Sequence, residues 1–187
     1  MKKILLIAVT AFAAVSAFAQ PKFAHVNTTE LVQLCPEMDK ARETINAASL
    51  DAQETFNDMQ TEFNTKLQAY QTKGSTWTAA TRESKEKELT EIQQRIQEFS
   101  QTVQAELQQQ QEQLMQPIYQ KVNETIQDLA TKGGYIYVFD TNGLLYVDPA
   151  QSFDLTPDAR KVMNIPADRT LEALAAELQA QAAAQQQ

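Results

Sequence analysis

The sequence predicts a mainly α-helical protein with a small β-containing head, from which a long antiparallel α-helical hairpin projects. Three observations predict it. Apolar or small residues recur every three or four positions at Met38, Ala41, Ile45, Ala48, Ala52, Phe56, Met59, Phe63, Leu67 and Tyr70, which is the helix period with one apolar face. The pattern resumes at Leu89, Ile92, Ile96, Phe99, Val103 and Leu107, then at Leu114, Ile118, Val122, Ile126 and Leu129, with Gln110 the one polar step. Aromatic and β-branched residues flank this stretch at residues 22–27 and 135–139, which marks both flanks as strands.

Residues 1–19 read as a cleaved secretory signal peptide. Met1-Lys2-Lys3 is a basic start, residues 4–14 are apolar apart from Thr10, and Ala17-Phe18-Ala19 is a small-x-small cleavage pattern. A membrane anchor needs about 20 apolar residues, and this run is shorter with no stop-transfer pattern after it. No cysteine follows it closely, which argues against a lipid-anchored form. Cleavage removes two lysines and leaves 168 residues with a net charge of −10. An acidic chain repels phosphates, so no nucleic-acid partner is expected. Cys35 is the only cysteine, so no intrachain disulfide can form, and it reads as a small buried hydrophobe.

Residues 20–35 form the first part of the head. After the strand, Asn27 followed three residues later by Glu30 reads as a capping box opening a short helix over residues 28–34. Residues 36–132 form the hairpin. Pro36 fits the first turn of its first arm, where a missing N–H costs nothing. That arm runs to residue 73 and spans roughly 57 Å at ~1.5 Å per residue. The tip falls at residues 73–78, where Gly74 is the only glycine between residues 20 and 132 and precedes Ser75 and Thr76. Such a hairpin is too thin to bury a globular core, so it needs support from the head or from other copies.

Residues 133–164 form the second part of the head. Gly133-Gly134 stops the second arm. Asn142-Gly143 predicts a type I′ turn between the strand at 135–140 and a returning strand at 144–147. Thr156-Pro157-Asp158 caps a short helix through residue 163, stopped by Asn164 and Pro166. In the C-terminal extension, 165–187, residues 168–178 can form one amphipathic helix, and the Ala/Gln tail is expected to be disordered. The strands are too few and short to close a sheet alone, so the head is expected to oligomerise.

The two end segments, KFAHVNTTELVQLCPEMDKA at 22–41 and GGYIYVFDTNGLLYVDPAQSFDLTPDARKVM at 133–163, resemble the head of the Skp/OmpH family of periplasmic outer-membrane-protein chaperones. The resemblance covers about residues 22–164. It implies a periplasmic homotrimer whose heads join in a central barrel and whose hairpins enclose unfolded outer-membrane proteins, a holdase with no enzymatic activity and no cofactor. Two features depart from it. The best-known members are basic whereas this chain is acidic, which disfavours contact with a membrane surface. The extension beyond residue 165 lies outside the family core.

Among candidate functional residues, Phe56, Phe63, Tyr70 and Trp77 recur every seven positions. Phe56 and Phe63 read as hairpin seam. Trp77 falls in the turn, where little can bury it, and with Tyr70 it is the candidate client contact. Pro117 interrupts a continuing apolar pattern and should kink the second arm, opposite residue 34 if the turn centres near 75–76. Pro36 and Pro117 together are therefore expected to make a hinge where the hairpin meets the head. Asp140, Asn142, Asp148 and Asp154 lack calcium-loop spacing and read as turn chemistry. His25, the only histidine, reads as structural. No metal site is expected. The alternative function class is a coiled-coil spacer or envelope scaffold without client activity.

Overall fold

The computed structural model describes residues 21–184, and the expected signal peptide lies outside the described residues. The chain opens with strand β1 (Lys22–Val26) and helix α1 (Thr28–Leu34). Only half of the capping box forms. Asn27 Oδ1 accepts from the Glu30 backbone N–H at 3.0 Å, but the Glu30 carboxylate turns away to ion-pair with Arg160, 130 residues later. The Asn27 N–H is satisfied instead by Thr156 Oγ1 at 3.0 Å.

Helix α2 (Pro36–Lys73) is the first arm and begins at Pro36 as expected. Gly74 ends it in right-handed conformation, at φ −59, and not in the left-handed cap its residue type suggests. A short 3-10 turn over Gly74–Thr76 follows, and Thr78 then caps helix α3 (Ala79–Gly133) by accepting from the Thr81 N–H at 3.2 Å. Helix α3 runs through Pro117 as one element and stops at Gly134, whose φ of 67 is left-handed. All the predicted seam positions, Gln110 included, are buried or half-buried. Among the described residues, only Ile92 is an apolar side chain buried outside the head core, because two helices alone leave each seam open at its flanks.

The sheet corrects the expected hairpin. Strand β2 (Tyr135–Asp140) is followed by a 3-10 turn at Thr141–Gly143, and residues 144–147 form no strand. The third strand is β3 (Ser152–Asp154), and the order is β2-β1-β3 with both pairings parallel. The reason is that β1 offers two free edges. β2 and β3 each take one, so the chain must cross over rather than turn back after Gly143. Asp140 Oδ1 accepts from the Asn142 N–H at 3.1 Å, which holds the segment in a tight polar turn of another type.

Helix α4 (Thr156–Val162) carries Pro157 in its first turn, and Asp154 Oδ1 accepts from the Thr156 N–H at 2.9 Å. Asn164 ends the segment at φ 58, a conformation Asn tolerates. Helix α5 (Leu171–Ala184) replaces the disorder expected for most of the Ala/Gln tail. Alanine is the best helix former, Thr170 Oγ1 accepts from the Ala173 N–H at 3.1 Å, and Leu174 is buried in the head core. That core joins Ala24 and Val26 of β1 with Leu31 and Leu34 of α1, the roots of both arms at Ala41, Ile118 and Val122, and Ala159 and Met163. The head thus clamps the open end of the hairpin. Among the described residues no helix is long and apolar enough to cross a membrane.

Candidate functional site

The first surface is the outer face of the sheet. Ala24 and Val26 point into the core, so Phe23 and His25 point away from it. Register places Phe23 beside Tyr137 and His25 beside Phe139. The Tyr137 ring lies 6.3 Å from Phe23 and 6.0 Å from Phe139. Tyr137 is 61% exposed, and Phe139, Leu145 and Tyr146 are exposed as well. Both outer strands leave an edge without a partner strand among the described residues.

The second surface is the arm tip. Trp77 is half-buried and not free, because its ring packs edge-on against Tyr70 with centroids 5.9 Å apart. Tyr70 donates its hydroxyl to Glu86 on the opposite arm, and that bond raises the phenol pKa. Arg82 Nε donates to the Gly74 carbonyl at 3.2 Å and closes the turn. Below the tip, Lys66 pairs with Glu88 across the arms and lies 3.6 Å from Glu62, which Arg95 meets at 3.2 Å. The hydrogen bond from Lys66, followed by one from Lys85, holds the Glu88 carboxyl at about 2.

The third is the root. Lys121 donates to Glu37 Oε1 at 2.5 Å and lowers the pKa of that carboxyl. This bond joins the two arms at their root. Together with the Arg95–Glu62 and Lys66–Glu88 pairs it places Pro117 opposite the first two turns of α2 and not opposite residue 34. Pro36 and Pro117 thus both lie at the root, about a turn apart.

The remaining candidates are local. Asp140, Asp148 and Asp154 each accept a backbone N–H two residues on, from Asn142, Ala150 and Thr156, as turn chemistry requires. His25 Nδ1 lies 2.8 Å from Ser152 Oγ, a partner on β3 that the sequence separation of 127 hides. A nucleophile pair also needs a third group orienting the base, and among the described residues the His25 ring hydrogen-bonds to Ser152 alone. The pair therefore reads as a pin between β1 and β3. Cys35 is fully buried, burial pushes its thiol pKa above 9.0, and its Sγ donates to the Val32 carbonyl at 3.3 Å. Among the described residues no group of His, Cys, Asp and Glu is placed to hold a metal.

Fold and surfaces together define a protein of the head-and-hairpin class, in which two long helices are clamped by a small sheet with an exposed aromatic face. The family model described as outer membrane protein (OmpH-like) matches residues 22–163, and the chain belongs to that family. It is 27% identical over 151 residues to the chaperone protein Skp of Yersinia enterocolitica, covering 81% of this chain and 91% of that protein. It is 26% identical over 149 residues to the Skp chaperone of Pectobacterium atrosepticum, covering 80% and 89%. An OmpH-like chain from Caulobacter crescentus shares the fold, with a TM-score of 0.70 at 16% identity over 78% of this chain and 85% of its own.

Proposed function

We propose that the chain is exported to the periplasm and acts there as a homotrimeric holdase, binding unfolded outer-membrane proteins and preventing their aggregation in transit. The observation that carries this reading is the half-buried seam of the hairpin. Phe56, Phe63, Ile96, Phe99 and Val103 keep part of their surface open where the two slender arms pack on each other. Two packed helices leave these flanks open, and a client segment laid along them would bury apolar surface that the second arm leaves uncovered. Tyr70 and Trp77 supply a client contact at the tip, and Pro36 and Pro117 supply the hinge. The acidic charge disfavours contact with membrane surfaces, which remain possible partners, and argues against nucleic acid. The test is dilution of an urea-unfolded outer-membrane β-barrel protein into buffer with and without the purified chain, read by light scattering. A holdase suppresses scattering at near-stoichiometric amounts. Unchanged scattering favours the envelope-scaffold reading instead.

A further inference from the structure

Helix α5 lies beyond the family match, which ends at residue 163. Its attachment is one-sided. Arg160 donates to the Arg169 carbonyl at 2.7 Å, Arg169 donates to Asp39 Oδ1 on the first turn of α2 at 2.6 Å, and Leu174 is only 6% exposed. Past Leu174 every described residue is exposed, Leu178 to 40%. The C-terminal half of α5 stands off the hairpin across a cavity of about 910 Å³. Met38 and Ile45 of α2 and Leu114 and Met115 of α3 form the fixed wall, and Leu174 and Leu178 face them from the other side.

We propose that α5 is a displaceable occupant of an apolar groove at the arm root, and that an apolar segment of an unfolded client takes its place. This rests on the holdase reading. Three observations carry it. The element now against the groove shows what the groove accepts, since Leu174 and Leu178, which both line it, follow the i, i+4 spacing of a helix laid in a groove. The groove is lined at Met38 and Met115, whose flexible thioethers adapt to different partners. The cavity size falls in the ~300–1,000 Å³ range of binding pockets, yet α5 leaves it largely unfilled. A helix serving only as a brace would close that space. One pinned at its first turns and detached beyond them can swing away while Arg169 and Asp39 stay joined.

The probe is a fluorophore-labelled peptide of residues 171–184, titrated against the full chain. Ser49 and Gln181 line the cavity. In a Ser49→Cys/Gln181→Cys variant, a reversible methanethiosulfonate cross-linker holds α5 in place, and Cys35 is buried too deeply to compete. Cross-linking should weaken peptide binding on the order of tenfold, as expected when the competent state becomes rare, and a reductant should restore it. Leu174→Asp should strengthen binding by a similar factor, and an unfolded outer-membrane β-barrel protein should compete the peptide off. Equal affinity in cross-linked, reduced and Leu174→Asp forms would overturn the proposal, and so would peptide binding that the barrel protein leaves untouched. Light scattering separates the two claims. If no form suppresses aggregation, the holdase reading fails. If all forms suppress it equally while peptide affinities stay equal, only the role of α5 fails.

Discussion

Phe23 and Tyr137 stack across β1 and β2 with their ring planes 5° from parallel, on a sheet face where Tyr137 and Phe139 are exposed. The arrangement spreads a flat aromatic surface between two open strand edges, which proteins normally cover or pair. The mature chain should therefore sediment as three copies at micromolar concentration, and Tyr137→Lys, which sets a charge in the face, should sediment as one. Leu50→Lys on the exposed arm surface should leave the assembly intact. A wild-type monomer would refute trimerisation.

The tip should loosen in acid before the head does. Glu88 sits at about 2 against an ordinary 4.5 because Lys66 and then Lys85 donate to its ionised form. A depressed carboxyl contributes fully above the ordinary value and loses its contribution as pH falls through the lowered one. Trp77 is the only tryptophan, and its emission should shift between pH 4.5 and 2 while helicity persists. Lys66→Gln should move that transition upward toward 4.5. Identical midpoints in the two proteins would show that the cross-arm pair does not hold the tip.

Met163 is fully buried where α4 meets the roots of the arms. Met163→Ala should destabilise the head by about 2–5 kcal/mol through lost burial and a residual cavity. Urea unfolding at fixed protein concentration, necessary for an oligomer, reads this directly. A loss below about 1 kcal/mol would mean that the site collapses freely.

Pro117 removes a backbone donor inside α3, and an interior proline costs a helix ~3 kcal/mol. Pro117→Ala should raise the melting temperature. It should also narrow the distances between spin labels placed at Ser75→Cys on neighbouring copies, if Pro117 and Pro36 form a hinge. An unchanged distance distribution would remove Pro117 from that role.

Client binding should survive salt. The mature chain carries 14 basic and 24 acidic groups, so attraction of acidic clients by net charge is unavailable. Burial, at ~25 cal/mol per Å², is not screened, whereas exposed charges are screened beyond ~8 Å at physiological ionic strength. Affinity for an unfolded acidic barrel protein should hold or tighten as NaCl rises from low to roughly half molar. A steep loss would place local basic groups such as Lys66 or Arg95 at the contact.

The sequence by itself determined the arms, since their signals are local. A helix period, a proline at its start, a threonine cap and a glycine at its end all act within one or two turns, and Pro36, Thr78 and Gly134 do what their chemistry dictates. The short helices beginning at Thr28 and Thr156 were legible for the same reason, although the second is not capped by Thr156: its N-cap is Leu155 with no side-chain bond, and Thr156 Oγ1 accepts from the Asn27 N–H. Tertiary structure alone decided the sheet. Asn142-Gly143 carries a hairpin signal, but Ala24 pairs with Val138 on one side and Phe153 on the other, partners more than a hundred residues away that no local window contains. The same distance hid Ser152 from His25 and Arg160 from Glu30. It also decided the fate of the tail, where the alanines permit a helix and burial of Leu174 against the head gives that helix a place to stand. Local chemistry fixes which segments can be helix or strand. Which edges pair, and which apolar faces stay open, depends on the free energy of contacts that exist only once the two ends of the chain have met.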